Sequence, residues 1–392
     1  MSDDWGFAAE LDEIGGRVAI CGIGDSDYTK ASGRTTTEIV LQAVERALDD
    51  AGLEPGDIDG IMGIPTMGDQ VDDVAFHKHF GTDHEMWVST RGGGMVWAGT
   101  APYEAAKALA DGKARHILNT FGVAWATQRS EMVGGPGESH AQELFKQNLE
   151  VPFGWFPQPV YFATIARRHM HEFGTTQQHL GAIAVTCREN ANRTPSAVMH
   201  DRPLSMEKYL ASPTIAAPFR KEDCCLISDG GAAYIMTTPE RARDLRPRVV
   251  EVAGVGLGNS VTGTHWSQQG GFTSTPQVFA APGAFAMAGL TPADVDVYTC
   301  YDPFTIVTLM QLEDSGFCEK GAGGEFAASG TLPFNTHGGL LSHAYVLGIA
   351  HVVEVVRQLR GEASNQVPDA EVGIYGGYTG PQASTLILRR GG

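Results

Sequence analysis

The sequence predicts an α/β fold of two similar halves, with a long insertion in the first. Three observations carry this expectation. The stretch from Ala47 to Ile61, ALDDAGLEPGDIDGI, and that from Ala284 to Tyr298, AFAMAGLTPADVDVY, share seven of fifteen positions at a separation of 237 residues, Ala51 to Ala288. In each copy a helix runs into Ala-Gly, where glycine can take the left-handed position that ends a helix; a proline follows and a strand begins. Each copy also lies downstream of a glycine-bearing apolar run, Val18 to Gly24 and Val249 to Gly256. Similarity of whole units at one long separation marks a duplication. Finally, the segment from about Ala126 to Ser228 is longer than an ordinary crossover and carries helical patterns of its own, so it reads as an inserted cap.

The elements follow in order. Thr36 to Asp50 has helical periodicity. Ala101 to Asp111 reads as an alanine-rich helix with Pro102 in its tolerant first turn. Ala114 to Phe121 reads as a buried strand, and Val160 to Phe173 and Gln177 to Arg193 as helices of the insertion. The first half closes on Ser228-Asp229-Gly230-Gly231-Ala232-Ala233, a glycine turn entering a strand. The second closes on Tyr375-Gly376-Gly377-Tyr378-Thr379-Gly380, leading into Ser384 to Leu388. The halves are expected at 1–245, with the insertion at about 126–228, and at 246–392.

Bulk properties narrow the function classes. With 42% hydrophobic and 19% charged residues, the chain of 392 residues can bury a core in each half. Its net charge of −18 repels polyphosphate, so nucleic acid is not an expected partner and any phosphate-bearing ligand needs a local basic patch. Arg167, Arg168, Arg220 and Lys221 are candidates for that patch. No apolar run approaches the ~18 residues of a membrane span. The acidic Met1-Ser2-Asp3-Asp4-Trp5 lacks a signal-peptide layout, and Arg389-Arg390-Gly391-Gly392 is no peroxisomal address, so a cytoplasmic location is expected. The six cysteines contain no C-x-x-C pair, so neither a metal site nor a disulfide framework is expected.

The two halves, the long insertion, the Ser-Asp-Gly-Gly-Ala-Ala turn and the Asn-x-x-Gly-Gly turn (Asn335 to Gly339) together resemble the thiolase superfamily. The phrasing is similar to its sterol-carrier-protein thiolase and lipid-transfer-protein branch. It is carried by Arg168 to Thr175, Pro213-Thr214-Ile215-Ala216-Ala217-Pro218 and Asp223-Cys224-Cys225. The resemblance spans Val18 to Leu388. It implies a five-layered αβαβα architecture, a tight homodimer and acyl-CoA substrates near the junction of the halves. CoA enters as part of the substrate, and no resident cofactor is expected. Relatives in this branch often work with a small OB-fold, zinc-ribbon acyl-CoA-binding protein in an α2β2 assembly.

The departures from the family sharpen the expectation. A thiolase carries its acyl group on a cysteine thiolate at a strand-to-helix junction, here Ser89 to Met95, yet no cysteine occurs between Cys21 and Cys187. The second thiolase cysteine would fall near Tyr375, and none follows Cys318. Without a thiolate the usual acyl-enzyme cannot form. Ser89 and Thr90 lie nearby, with no residue marking a base to activate them. The resemblance matches His343, in Ser342-His343-Ala344, to the histidine that stabilises the thioester oxygen. Tyr301, in Tyr301-Asp302-Pro303-Phe304, stands where the family has asparagine, and Tyr345 follows His343 by two residues. This pairing resembles the thiolase-like aldolases of steroid side-chain degradation. It implies Tyr301, His343 and Tyr345 as catalytic, with Asp302, His337, Gly338, Gly339, Tyr375, Gly376 and Gly377 around substrate or CoA. The expected activity is non-covalent retro-aldol cleavage of a bulky β-hydroxyacyl-CoA. A thiolase-type acyltransferase with an atypical site and a non-catalytic acyl-CoA or lipid binder stand as alternatives. The aromatic run Val151 to Pro157 is a candidate wall for an apolar acyl group.

Overall fold

The structure is a computed structural model that describes residues 5–64, 69–128, 146–155, 157–245, 248–261 and 270–391. Its sheet contains one strand pattern twice. In the first half, strands β2 (Ala19–Asp25), β3 (Gly60–Met62), β4 (Trp87–Ser89), β5 (Ile117–Ala124) and β8 (Asp229–Thr237) lie in the order β4-β3-β5-β8-β2. In the second, β9 (Val250–Ser260), β10 (Val297–Cys300), β11 (Val372–Tyr378) and β12 (Gln382–Arg390) lie in the order β10-β11-β12-β9. Directions agree as well: β3 with β5 and β10 with β11 are parallel, and the two pairs that follow in each half are antiparallel. The halves join where Ala19 and Ile20 of β2 meet Glu251 and Val250 of β9.

The duplicated segments fold alike for local reasons. Helix α1 (Thr36–Ala51) starts at a capping box between Thr35 and Glu38 and ends on Gly52 at φ 67°. Helix α8 (Gln277–Ala288) ends on Gly289 at φ 65°. Single 3₁₀ turns follow at Pro55–Asp57 and Pro292–Asp294. The correspondence reaches individual contacts. A Cβ on Gly22 would lie 2.5 Å from the Ala47 carbonyl oxygen, and one on Gly254 would lie 2.2 Å from that of Ala284. Gly24 stands in the same relation to Ala43, and Gly256 to Ala280. Each helix therefore rests directly on a strand with no side chain between them.

Between the halves lie α3 (Met95–Ala110) and α12 (Ile349–Arg360). Each packs against strands of both halves, while α1 and α8 cover the outer faces. Helix α3 begins earlier than its alanine-rich part suggests, which places Pro102 inside it. Proline has no N–H for the Ala98 carbonyl, and the buried Tyr234 hydroxyl donates to that oxygen at 2.7 Å instead. Gly230, Gly231, Gly376 and Gly377 lie within β8 and β11 and not in turns, whereas Gly380, at φ 92°, lies in the connection from β11 to β12. There they admit close neighbours: a Cβ on Gly377 would meet the Met95 carbonyl oxygen at 2.7 Å, and one on Gly230 the ring of Tyr28 at 2.4 Å.

The described part of the insertion contributes α4 (Gln158–Phe173), α5 (Gln177–Asn192) and α6 (Met206–Ala211). Helix α5 packs on α9 (Thr305–Asp314), α10 (Gly323–Ser329) and the short α11 (Gly339–Ser342) of the second half. No helix among the described residues is long and apolar enough to cross a membrane.

Gly256→Ala should lower the unfolding free energy by about 1–3 kcal/mol, because α8 must move off β9 to admit the methyl group. Gly56→Ala, where no atom lies within 4 Å, should stay within about 0.5 kcal/mol. Urea midpoints test this, and equal midpoints for the two variants would remove direct helix-on-strand packing as the reason for these glycines.

Candidate active site

The site forms where the insertion closes on a turn of the second half. That turn, between α11 and α12, carries His343 and Tyr345 and is fixed from three sides. From the insertion, Val198 and Met199 donate backbone N–H bonds to the carbonyls of His343 and Ser342, at 2.9 and 3.2 Å. The Arg188 guanidinium reaches the Ser342 hydroxyl at 2.9 Å and Glu222 at 2.8 Å. From the first half, the Ser228 hydroxyl accepts the Tyr345 N–H at 2.8 Å. From the end of β10, the Asp302 carboxylate accepts the Leu340 N–H at 2.7 Å and meets His351 Nε2 at 3.0 Å.

Tyr301 stands at the end of β10, where its N–H bonds the Gly376 carbonyl and its own carbonyl accepts the Gln311 amide, both at 2.8 Å. Its hydroxyl is 2.8 Å from the Tyr345 hydroxyl. Both phenols are buried, and Trp125 stacks on the Tyr345 ring with centroids 4.6 Å apart. Burial holds both hydroxyls above the ordinary tyrosine range, and the bond from Tyr345 partly offsets this for Tyr301. They are neutral phenols at pH 7.

His343 is equally buried, and burial pushes its pKa down to about 4, so the imidazole is neutral. Its Nε2 lies 3.2 Å from the Ser196 hydroxyl, and Tyr28 packs edge-on at 4.6 Å. The Tyr28 hydroxyl donates to Asp25, which also pairs with Arg357 of α12 at 2.5 Å. A cavity of about 1060 Å³ opens here, with His337, His343, Tyr28, Ser196, Cys225 and Lys221 among its lining.

Tyr301, His343 and Tyr345 thus converge. His343 lines the cavity and His337 joins it there, with the buried tyrosine pair reached two residues along the chain from His343, but the other expected ligands have different work. Asp302 is fully buried and its oxygens are taken by backbone N–H groups and His351, so it braces the turn. Gly338 and Gly339, at φ 113° and 63°, form the left-handed entry to α11 against Ala191 and Asp302. Gly376 and Gly377 make room for Tyr298 and for α3. The Tyr375 hydroxyl donates to the Met95 carbonyl at 2.8 Å. Of the candidate cations, Lys221 lines the cavity, while Arg168 pairs with Glu172 and Arg220 bonds the Ser212 carbonyl. In the aromatic run, Trp155 packs on Tyr161 and Phe153 is exposed; Phe156 lies outside the described residues.

The strand-to-helix junction between β4 and α3 ends in Met95, at φ 52°, a strained conformation for a non-glycine residue. Its thioether has no proton to lose, so it cannot become a thiolate or carry an acyl group as a thioester. Burial drives the Cys187, Cys225 and Cys300 thiols up, and those of Cys224 and Cys318 up to about 12, so none of these five is a thiolate. Trp125, Ser196 and Tyr28 were not anticipated. Each is single in its stretch of sequence and reaches the site only through packing.

This is a thiolase fold with His343 in a cavity wall and none of those five thiols activated. Residues 258–390 match the family described as Thiolase C-terminal domain-like. The chain is 36% identical over 391 residues to the 17-hydroxy-3-oxo-4-pregnene-20-carboxyl-CoA lyase of Mycobacterium tuberculosis, covering 96% of this chain and 100% of that one. It is 34% identical over 395 residues to the steroid side-chain-cleaving aldolase of Thermomonospora curvata, covering 95% and 98%. Among solved structures, the Ltp2-ChsH2(DUF35) aldolase is similar with a TM-score of 0.86 and 32% identity, over 97% of this chain and 99% of that one. The chain belongs to the thiolase superfamily, in its group of thiolase-like aldolases, and is a carbon–carbon lyase.

Asp302→Ala should lower stability by about 2–4 kcal/mol, since it leaves buried donors without an acceptor. Chemical denaturation measures this. An unchanged midpoint with a raised KM would restore Asp302 as a substrate ligand.

Proposed function

We propose that the protein cleaves a bulky β-hydroxyacyl-CoA by a non-covalent retro-aldol reaction. The observation that carries this reading is the buried Tyr301–Tyr345 hydroxyl pair, two residues along the chain from a neutral His343, with no activated thiol beside it. The name of the Mycobacterium tuberculosis relative supports the substrate class: it places a hydroxyl on C17 and the thioester carboxyl on C20, so the hydroxyl is β to the thioester carbon.

In the reaction the β-hydroxyl loses its proton and the Cα–Cβ bond breaks. The hydroxyl carbon becomes a carbonyl, and the thioester enolate takes a proton at Cα. Two neutral phenols in contact suit this balance. One accepts the hydroxyl proton as the other delivers its own to Cα, and the bond between them carries the exchange, so the enzyme's charge does not change. A neutral imidazole at His343 donates to the thioester oxygen as negative charge grows there. CoA arrives with the substrate, with Lys221 at the cavity wall as a cation for its phosphates.

The assembly we propose is a homodimer with a small OB-fold, zinc-ribbon partner. The first element is supported by β4, an edge strand with Val88 half-exposed. The second is supported by the Ltp2 aldolase, whose structure is named with ChsH2(DUF35). Co-purification from the native host tests both.

Incubation with a steroid β-hydroxyacyl-CoA should release a ketone and a shorter acyl-CoA. Tyr301→Phe and Tyr345→Phe should each lower kcat by about 10²–10⁴. Turnover within threefold of the parent in both would dismiss the tyrosine relay, and an acyl adduct on intact mass would support acyl transfer instead. Because burial disfavours the imidazolium, His343 stays neutral as pH falls through 6.5, and protonation should quench kcat only near pH 4. A pH–rate profile with its acid limb at 6.5 would contradict this environment for His343.

A further inference from the structure

His337 is 3% exposed, yet no protein group among the described residues bonds either of its ring nitrogens. Buried polar groups in folded proteins almost always find a partner, and an exception calls for an explanation. His337 is not sealed in apolar packing, because it lines the large cavity together with His343. The His337 and His343 imidazoles meet edge to face with centroids 4.8 Å apart, and His351 also packs edge to face on His337, at 4.6 Å. His343 Nδ1 also has no protein partner among the described residues. The backbone that holds His337 is rigid: it lies between Asn335, whose side chain bonds both the N–H and the carbonyl of Cys300, and the left-handed Gly338.

We propose that His337 is a second hydrogen-bond donor to the thioester oxygen of the substrate, acting with His343 as a two-imidazole clamp. This rests on the retro-aldol reading of the site and deepens it. Ring nitrogens on neighbouring imidazoles can both approach one oxygen at about 2.8–3.0 Å, an ordinary N–H···O length. Both rings are held neutral by burial, so each donates through one N–H without adding a cation that would bind the ground-state carbonyl tightly. Charge accumulates on that oxygen only as the Cα–Cβ bond breaks, and the clamp therefore acts on the barrier more than on binding. A histidine kept without a protein partner is also a local cost to stability, of the kind found where function requires it.

The test separates enolate formation from carbon–carbon cleavage. Propionyl-CoA serves as a probe in deuterated buffer, with α-deuterium incorporation followed by mass spectrometry beside steady-state cleavage of a steroid β-hydroxyacyl-CoA. The wild-type protein should exchange the α-hydrogens. His337→Leu should lower both exchange and kcat by about 10²-fold or more with little change in KM. His337→Gln, which keeps an N–H donor, should recover to within about tenfold of wild type. Thermal melting of His337→Leu should occur at or above the wild-type temperature, because no protein hydrogen bond is lost. A lowered melting point together with unchanged exchange would assign His337 to packing and overturn the proposal. Should His337→Leu not fold, His337→Phe, which keeps a planar ring and removes both nitrogens, decides on the same readings. If wild type neither exchanges propionyl-CoA nor cleaves the steroid thioester, the retro-aldol reading itself fails. If wild type does both and the histidine variants match it, only the role of His337 fails.

Discussion

The buried carboxylate of Asp302 organises the site without touching the cavity. One oxygen accepts the Leu340 N–H and meets His351, and the other lies beside the Leu341 N–H, so a single side chain ties the end of β10 to α11 and the start of α12. Tyr301 precedes Asp302 on one side of this knot, and His343 and Tyr345 follow the helix it caps on the other. Three catalytic candidates from two separate chain segments are thereby held in one frame. A carboxyl group this deep is tolerable only because its oxygens are engaged by donors.

Around that frame the site runs without a standing charge on its reactive groups. Burial keeps the tyrosines protonated and His343 neutral. The same burial that would disable a lone tyrosine as a base suits a pair, because a proton passed along a chain of hydroxyls leaves no ion behind in a low-dielectric pocket. Charged pairs stand beside these groups, Asp25–Arg357 against Tyr28 and Arg188–Glu222 behind Ser342, and Asp25, Arg357 and Glu222 are themselves part of the cavity wall.

Much of the fold could be read along the chain because its determinants are local. The left-handed glycines at 52 and 289 and the prolines at 55 and 292 follow from short-range geometry, and the duplication repeats them. Two readings went astray for one reason. Pro102 looked like a helix start, and the glycines of β8 and β11 looked like turns. Each is explained by a distant neighbour: the Tyr234 hydroxyl relieves the proline, and α3 or Tyr28 occupies the space the glycines leave.

The sequence alone determined the α/β duplication, the family, the absence of a cysteine at the strand-to-helix junction, and the identities of Tyr301, His343 and Tyr345 as candidates. These depend on residue type and on spacing within one segment. Only the tertiary structure decided that the two tyrosines share a hydrogen bond across 44 residues, that Asp302 is a brace, that Ser196 and Trp125 belong to the site, and that His337 faces the cavity without a protein partner. Each of these is set by which buried polar group meets which across the halves and the insertion, and local periodicity carries no record of that.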